Sequence, residues 1–444
     1  MPFEPRETDV ARRTFLKSGA LAALAAPAVL SAQSSPNERL RVGWIATGSR
    51  GQHVMKQMYL ESKDVVTVTA VCDTYQGNLN LGKDIVQTNE PSHAPKTYVA
   101  YRDLLADPNV DVVFICSPEH LHFPMAMEAI KAGKHIYLEK PIAHTIEEGQ
   151  QIVDASEKSG KVLQVGTQNR SNKLYIRAKQ MVENNDIGEV HYVRAFWYRN
   201  FDPKADPAKT TPAAWRYVIP PDANPENTDW LRFLEGADHK NVAFSKERYF
   251  QWRNYWDYSG GISTDLLVHQ TDISNFVCNR TLPFSCMASG GIYQWGPAFD
   301  DDRDVPDTFS AIYEYPNRFH LNYSCYFAND QYGYGEQFLG HDGTIEVMDR
   351  QNLHFYPQPR FIKGHAPFSS KPELHLNNIK DFQQEDATAD HVHNFLMAVL
   401  GREKNIAPAR AGQIAAIPGH LATLSYKNGH KVYWDDKMNK VHYS

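Results

Sequence analysis

His135-Ile136-Tyr137-Leu138-Glu139-Lys140-Pro141 runs from an apolar segment into two opposite charges and a proline. A short apolar run carrying a β-branched and an aromatic residue predicts a buried strand. Pro141 has no N–H for a ladder and keeps Lys140 out of helical geometry, so the strand ends there. Glu139 and Lys140 then fall at the carboxyl end of a strand, where open α/β sheets place their ligands. A lone Glu-Lys-Pro would be an ordinary loop. The company it keeps on both sides makes it a candidate site.

Outward from this stretch, strands and helices alternate. Strands are expected at Leu40–Ala46, Val65–Asp73, Asp111–Ser117 and Val162–Thr167. Between them fall helical patterns at Gln52–Ser62, about Gly77–Gln87, Tyr101–Asp107 and Phe123–Ala132, and one from Thr145. Thr145 with Glu148 three residues later is a capping box. The alternation predicts a parallel, doubly wound sheet.

The first strand–turn–helix is where a dinucleotide pyrophosphate would sit, on backbone amides and the helix dipole. The expected Gly-x-Gly-x-x-Gly reads Ala46-Thr47-Gly48-Ser49-Arg50-Gly51, with alanine for the first glycine. Asp73, at the end of the second strand, is placed to hold the adenosine ribose hydroxyls and favours NAD over NADP. Ser117-Pro118-Glu119-His120-Leu121-His122 ends a further strand on the same edge. A His-x-His pair without a third ligand predicts polar lining of the cofactor cleft rather than a metal site.

From Gly188 the pattern changes. Val190–Tyr198, Phe284–Tyr293, Thr308–Tyr315, Arg318–Phe327, Glu336–Leu339 and Thr344–Met348 alternate like strands of a meandering, mostly antiparallel sheet. A Pro-, Asp- and aromatic-rich insertion at about 199–258 interrupts it, and Trp197–Trp256 holds five of the eight tryptophans. Most of these are expected to form the loop's own small core. In Gly260–Asp272, a helix would put Asp265 and His269 on one face, a workable acid–base pair. Asp300–Asp304 reads as an exposed acidic hairpin, because it lacks the glycine and distal glutamate of a calcium loop.

Length and composition fit two folded domains. With 444 residues, 42% hydrophobic and a spread-out net charge of −6, neither disorder nor nucleic-acid binding is indicated. Five cysteines without Cys-x-x-Cys spacing suggest neither a disulfide framework nor zinc. Arg12-Arg13-Thr14-Phe15-Leu16-Lys17 precedes the apolar run Gly19–Leu30, which is short for a membrane span. Residues 1–32 are therefore expected to be a signal peptide of the twin-arginine type, which exports proteins already folded, with 33–39 as linker. Cleavage would remove four cations and three anions, taking the charge from −6 to −7.

Val42–Gly51, Val71-Cys72-Asp73, Ser117–His122, Ala132–Pro141, Gln164–Arg170 and Gly260–Asp272 together resemble the glucose–fructose oxidoreductase / inositol dehydrogenase / MocA (Gfo/Idh/MocA) family. The resemblance implies a Rossmann domain at 40–168 and an α+β domain at 169–444, whose open sheet carries substrate on one face and a homo-oligomer interface on the other. The terminal part, 388–444, would include a helix returning to the first domain. It also implies NAD held by Thr47, Gly48, Ser49, Arg50, Gly51, Asp73, Ser117, Pro118, His120, His122, Glu139, Lys140 and Gln168. The family's catalytic pattern matches here as Lys140, Asp265 and His269, with Asp265 orienting His269.

The expected activity is an exported, NAD-dependent sugar or polyol oxidoreductase of the periplasm, with tightly bound cofactor, a small carbohydrate substrate, no resident metal and no membrane contact after cleavage. Two alternatives stand beside it. One is redox-neutral glycoside cleavage through transient ring oxidation, as implied for NAD-dependent N-acetylgalactosaminidase relatives, which depart from Glu-Lys-Pro. The other is a sugar- or nucleotide-binding protein that has lost its chemistry.

Overall fold

The computed structural model describes residues 39–201, 215–299, 301–358 and 372–443. The expected signal peptide, most of the linker and part of the aromatic-rich insertion lie outside these residues.

The first half winds as β1 (Leu40–Ile45), α1 (Ser49–Ser62), β2 (Val66–Cys72), α2 (Gln76–Asn89), β3 (Lys96–Tyr98), α3 (Tyr101–Ala106), β4 (Val112–Ile115), α4 (His122–Lys131), β5 (His135–Leu138), α5 (Ile146–Ser159) and β6 (Leu163–Val165). Its six strands are all parallel, in the order β3-β2-β1-β4-β5-β6. The expected strands all form, shortened at their ends. β3 was not foreseen, because Lys96-Thr97-Tyr98 is a polar edge strand with no apolar run. The capping box at Thr145 forms as expected.

One face of this sheet is held by an aromatic stack across three neighbouring strands. Trp44 lies parallel to Phe114 at 4.3 Å and Phe114 meets Tyr137 at 5.0 Å. Phe395, from a helix near the end of the chain, closes the stack edge-on at 5.6 Å from Phe114. Buried aromatics of this size stabilise by roughly 2–3 kcal/mol each. The end of the chain is thus part of the first domain's core.

The second half comprises α6 (Lys173–Glu183), β7 (Val190–Tyr198), α7 (Trp230–Phe233), α8 (Lys246–Phe250), a π-helical turn at Ser263–Leu267, α9 (Val268–Cys278), β8 (Ser285–Gly291), β9 (Thr308–Tyr315), β10 (Phe319–Tyr326), β11 (Tyr334–Gly340), β12 (Gly343–Met348), β13 (Asn352–Pro357), β14 (Leu374–Asn377), α10 (Asn378–Phe382), α11 (Ala387–Val399), α12 (Ala409–Asn428), β15 (Val432–Asp435) and β16 (Lys440–Tyr443). Ten described strands form an open sheet in the order β14-β13-β12-β11-β7-β10-β9-β8-β15-β16, antiparallel except for the parallel β7–β10 pair. The pleat sorts its faces. Phe338, Val193, Leu321, Tyr313, Cys286 and Val432 form one row across six strands, each with 0% exposure. The opposite face leaves Met287 and Ile312, paired across β8 and β9, about two-fifths exposed.

The insertion does not stand apart. Its core of Trp230, Phe233, Leu234, Tyr249, Tyr255 and Tyr258 includes Tyr75 of the first domain. Backbone bonds stitch it there: Gln76 N donates to Asn227 O at 3.0 Å and Asp229 N to Thr74 O at 2.8 Å. Gly236 passes so close to the His120 carbonyl that a Cβ would meet it at 1.8 Å. Of the five tryptophans only Trp230 lies in this core, with Trp252 packed against it. Trp197, Trp215 and Trp256 join the main core of the second domain instead.

The acidic run is also not an exposed hairpin. Asp301 and Arg303 are buried as a pair, with Arg303 Nε 2.7 Å from Asp301 Oδ1. Asp302 accepts the Tyr255 hydroxyl and Asp304 the Trp256 N–H, so these acids fasten the end of the insertion. Asp300 lies outside the described residues.

Candidate active site

The candidate residues meet because neighbouring parallel strands end on one edge. Ile45 at the end of β1 pairs with Cys72, and Ile115 pairs with both Ile45 and Leu138. The segments that follow, Ala46–Gly51, Asp73, Cys116–Pro118 and Glu139–Pro141, therefore emerge side by side. The Lys140–Pro141 peptide is cis.

The glycine-rich turn forms with alanine in its first place. Ala46 takes φ +68° and donates its N–H to Cys72 O at 2.8 Å. Gly51 must be glycine, since a Cβ would lie 2.1 Å from Ala46 O. Gly48 faces open space, bounded only by the Asn78 amide at 3.6 Å, as a cradle for an anion requires. Asp73 braces this turn: Oδ2 accepts from Thr47 N at 2.7 Å and Thr47 Oγ1 at 3.3 Å, and Oδ1 from Tyr75 N at 2.9 Å and the Tyr249 hydroxyl at 3.3 Å. Burial raises its carboxyl and these donors oppose the rise. The Thr47 and Tyr249 hydroxyls have closer partners in Asn78 O at 2.8 Å and Thr74 Oγ1 at 2.7 Å; each has a single hydrogen, which leaves Asp73 with acceptor capacity for a ribose hydroxyl.

Over the turn lies a cleft of about 800 Å³, lined on the first-domain side by Gly48, Ser49, Arg50, Asp73, Ser117 and Pro118. The insertion supplies the other wall through Tyr217, Tyr249, Phe250, Trp252 and Arg253. Arg50 Nη2 and Ser117 Oγ are buried in it without a hydrogen-bond partner, which fits a dinucleotide phosphate. Thr47, Gly51, Glu139 and Gln168 stand behind the wall. Glu139 accepts Arg50 Nε at 2.9 Å, and burial, which would lower the guanidinium's pKa, is outweighed by that charge. Gln168 Oε1 is buried without a partner.

His120 and His122 do not line the cleft. His120 is fully buried, with Nε2 2.6 Å from Phe233 O, and burial pushes it down to about 3. His122 lies between two carbonyl oxygens, Pro141 O at 2.6 Å and Ser117 O at 2.9 Å. Both rings brace loops. The sequence shows two histidines at a strand end and cannot show that backbone carbonyls already claim them.

The three residues expected to be catalytic converge, but their pairing differs from expectation. Lys140 Nζ donates to Asp265 Oδ1 at 2.8 Å and to Asp265 O at 2.5 Å. Arg253 Nε donates to the same Oδ1 at 3.1 Å. Burial alone would raise Asp265, yet Lys140 and Arg253 hold its carboxyl well below the usual carboxylate range. Asp265 does not orient His269, whose buried Nδ1 has no partner. The reason is the company Asp265 keeps: Lys140 and Arg253 already claim its carboxylate. The Trp197 ring sets the plane of His269 instead, at 6.3 Å and 27°. Burial first, then the charges of Lys140, Arg350 and Arg50, push the imidazole well below its ordinary value, leaving it neutral.

Two functional residues escaped the sequence reading. Arg253 lines the dinucleotide cleft and grips Asp265, joining the two sites. Glu119 accepts from Ser259 Oγ at 3.1 Å, Gly260 N at 2.9 Å and Thr264 Oγ1 at 2.8 Å, fixing the start of the π-turn to the first domain. The Gly260-Gly261 pair was the only hint that a loop here is approached closely: a Cβ on Gly260 would meet Thr264 at 2.3 Å.

A parallel dinucleotide-binding sheet whose cleft meets a buried lysine–carboxylate–arginine cluster defines an NAD-binding oxidoreductase. Comparison with known proteins agrees. A family profile described as "Oxidoreductase family, NAD-binding Rossmann fold" matches residues 40–167, and its companion, "Oxidoreductase family, C-terminal alpha/beta domain", matches 236–433. The chain belongs to the Gfo/Idh/MocA oxidoreductase family. Among its relatives, a "Glycosyl hydrolase family 109 protein" of Shewanella baltica is 33% identical over 186 residues, 41% of this chain and 40% of that protein. The "Uncharacterized oxidoreductase YrbE" of Bacillus subtilis is 34% identical over 142 residues, 32% of this chain and 40% of that protein. The chain thus spans about two-fifths of the length of these curated relatives. Among solved structures, a levoglucosan dehydrogenase in complex with NADH and levoglucosan superposes with TM-score 0.63 at 17% identity, covering 89% of this chain and 99% of the other. The WlbA dehydrogenase of Bordetella pertussis, in complex with NADH and UDP-GlcNAcA, gives 0.62 at 17%, covering 90% and 99%. These likenesses establish the fold.

Proposed function

We propose that this chain is an exported, NAD-dependent oxidoreductase acting on a hydroxyl of a sugar, sugar derivative or polyol, with its cofactor tightly held. The observation that carries the proposal is the Lys140–Asp265–Arg253 cluster, with neutral His269 beside it, at the end of the dinucleotide cleft. Bound nicotinamide supplies the hydride acceptor. His269 takes the hydroxyl proton as the carbon gives up its hydride, leaving a carbonyl. An ammonium has three N–H donors, and Asp265 occupies two of Lys140's contacts, so the third can meet the reacting oxygen and stabilise its developing charge.

The insertion supports retention of NAD. Tyr249, Phe250 and Trp252 wall the cleft, and the segment is fastened to the first domain at Thr74, Gln76 and His120. Tyr249 also bonds Thr74 Oγ1 at 2.7 Å, filling the space beside Asp73 where a 2′-phosphate would need room. The expected result is near-stoichiometric NAD, and little NADP, released on acid denaturation of protein folded in the cytoplasm and extensively dialysed. Cofactor-free protein with no affinity for NAD would overturn the proposal.

The relatives named as glycosyl hydrolase family 109 proteins, at 33–37% identity, support a second reading. In it the same trio oxidises a ring hydroxyl transiently, the aglycone is eliminated and the hydride returns. Release of aglycone from a glycoside without net NADH would favour this reading.

A further inference from the structure

Beside His269, the inner face of the large sheet ends in an unusual arrangement. β7 brings Val193, Ala195 and Trp197 inward in alternation, and Arg199 follows with the same parity. Trp197 stacks on Tyr334 of β11 at 4.6 Å. Two guanidinium groups lie over this pair: Arg199 Cζ is 4.3 Å from the Tyr334 centroid and 5.3 Å from that of Trp197, and Arg350 Cζ is 5.4 Å and 5.1 Å from the same rings. Arg350 comes from the turn between β12 and β13, where Asn172 Nδ2 holds its carbonyl at 3.0 Å.

These cations have no anion of their own. Among the described residues neither guanidinium forms an ion pair, and Arg350 Nη2 is buried without a hydrogen-bond partner. An arginine on an aromatic face is an ordinary stabilising contact; a buried, unsatisfied guanidinium nitrogen is costly and calls for a ligand. Asp265 cannot serve, being shared by Lys140 and Arg253. Glu336 is the carboxyl that feels the charge of Arg350, but it forms no ion pair with it and accepts the Tyr175 hydroxyl at 2.6 Å instead; burial pushes it up to about 7. The space beside the reacting groups is therefore positive, in a chain whose net charge is −6.

We propose that the substrate is an acidic carbohydrate whose oxyanion, a carboxylate or a phosphate ester, is received by Arg350 and Arg199 next to the Trp197 ring. This rests on the carbohydrate oxidoreductase reading and names the substrate class for the same site. The buried aromatic stack holds the two guanidinium groups in place, and their planar forks match an oxyanion in geometry. The anion would also offset the positive charge of Arg350 that weakens His269 as a base, so the subsite assists the proton transfer as well as the binding.

The test measures binding separately from turnover. Holoenzyme is titrated by calorimetry, with tryptophan fluorescence in parallel, using D-glucuronate, D-galacturonate, D-glucose 6-phosphate, D-glucose and D-galactose. At least one acidic sugar is expected to bind 10-fold or more tightly than its neutral parent. That preference should weaken as salt is raised, fall to near unity in Arg350→Gln, and survive in large part in Arg350→Lys. Arg199→Gln provides a second arm should Arg350→Gln fold poorly, which its circular dichroism would reveal. Uronate preference over the phosphate ester assigns the subsite to a carboxylate, and the reverse to a phosphate. Equal binding of acidic and neutral sugars, no binding of any acidic probe at millimolar concentration, or an unchanged preference in a folded Arg350→Gln or Arg199→Gln protein would overturn the proposal. A protein that binds acidic sugars but neither carries NAD nor transfers hydride would instead overturn the oxidoreductase reading and leave the subsite standing.

Discussion

In the proposed reaction Lys140 is the residue on which the chemistry depends most directly. Its ammonium is fixed by the carboxylate and carbonyl of Asp265, so its free N–H is aimed before substrate arrives. Removing one preorganised donor to a developing oxyanion costs about 100- to 1000-fold in kcat. Lys140→Ala should show a loss of at least that size with unchanged NAD content, since the cleft wall is built from other residues; undiminished turnover would remove Lys140 from the mechanism. Ala46 offers a stability test in the same region. Its φ of +68° costs an L-residue about 1–2 kcal/mol, while glycine gives back part of that through the freer unfolded chain. Ala46→Gly should leave Tm unchanged or raise it, and Ala46→Val, β-branched at positive φ, should lower stability by about 1–3 kcal/mol; melting curves of the two variants decide it. At this scale the sequence was most informative where a residue's role follows from its own chain neighbours. Lys140 is located by the strand before it and the proline after it. Arg253 could not be found that way, because its meaning comes from Asp265, twelve residues on and across a loop.

Secondary elements carry the next layer, and the clearest case is the junction of the π-turn with the first domain. Glu119 receives three donors from Ser259, Gly260 and Thr264 while being fully buried. Burial dominates and pushes its carboxyl up to about 7, against about 4.3 in an unfolded chain. The folded state therefore holds a proton that the unfolded state has lost between these values. Its contribution is fully present below about pH 4.3 and is lost as pH rises toward 7, on the order of 3 kcal/mol in all. Glu119→Gln keeps the shape and removes the titration. Denaturant unfolding across pH 5–7 should show a slope shallower than wild type by up to about 1.4 kcal/mol per pH unit; an identical slope would assign the effect to the other carboxyls that burial raises, Glu336, Asp73 and Asp272 among them. The same junction holds a misreading. Asp-x-x-x-His spacing puts two residues on one face, but a shared face does not make a pair, because Lys140 and Arg253 claim the Asp265 carboxylate first. Helical spacing carries no signal for partners that arrive from other segments. By contrast, the alternating strands of both sheets were legible because burial of one face leaves a period of two in the sequence itself.

For the whole molecule, the large sheet and the insertion each make a claim. The outer face of the sheet leaves Met287 and Ile312 exposed as paired neighbours, where the sequence reading expects a second copy of the chain to dock. Light scattering should report an oligomer that Ile312→Lys dissociates; a monomeric wild type would end that expectation. The insertion makes the stronger claim, since it joins the two domains over the cofactor cleft. Phe250 packs edge-on against Tyr75 at 5.1 Å and Tyr249 at 4.8 Å, and lines the cleft beside Trp252. On the proposed reading that NAD is tightly held, a dinucleotide beneath this wall would leave when the wall moves, and moving it breaks contacts that hold the domains together. The off-rate of NAD is then expected to follow opening of the insertion rather than the strength of the phosphate contacts. Phe250→Ala removes ring contacts while sparing Gly48, Arg50 and Ser117, so it should speed exchange of bound NAD for labelled NAD at least about 10-fold, equivalent to about 1.4 kcal/mol off the barrier. Ser117→Ala, which touches only the cleft floor, should shift the equilibrium affinity with less effect on the opening step. If Phe250→Ala exchanges no faster than wild type, the insertion is an interdomain brace and retention must come from the floor of the cleft, where Arg50 Nη2 and Ser117 Oγ await an acceptor.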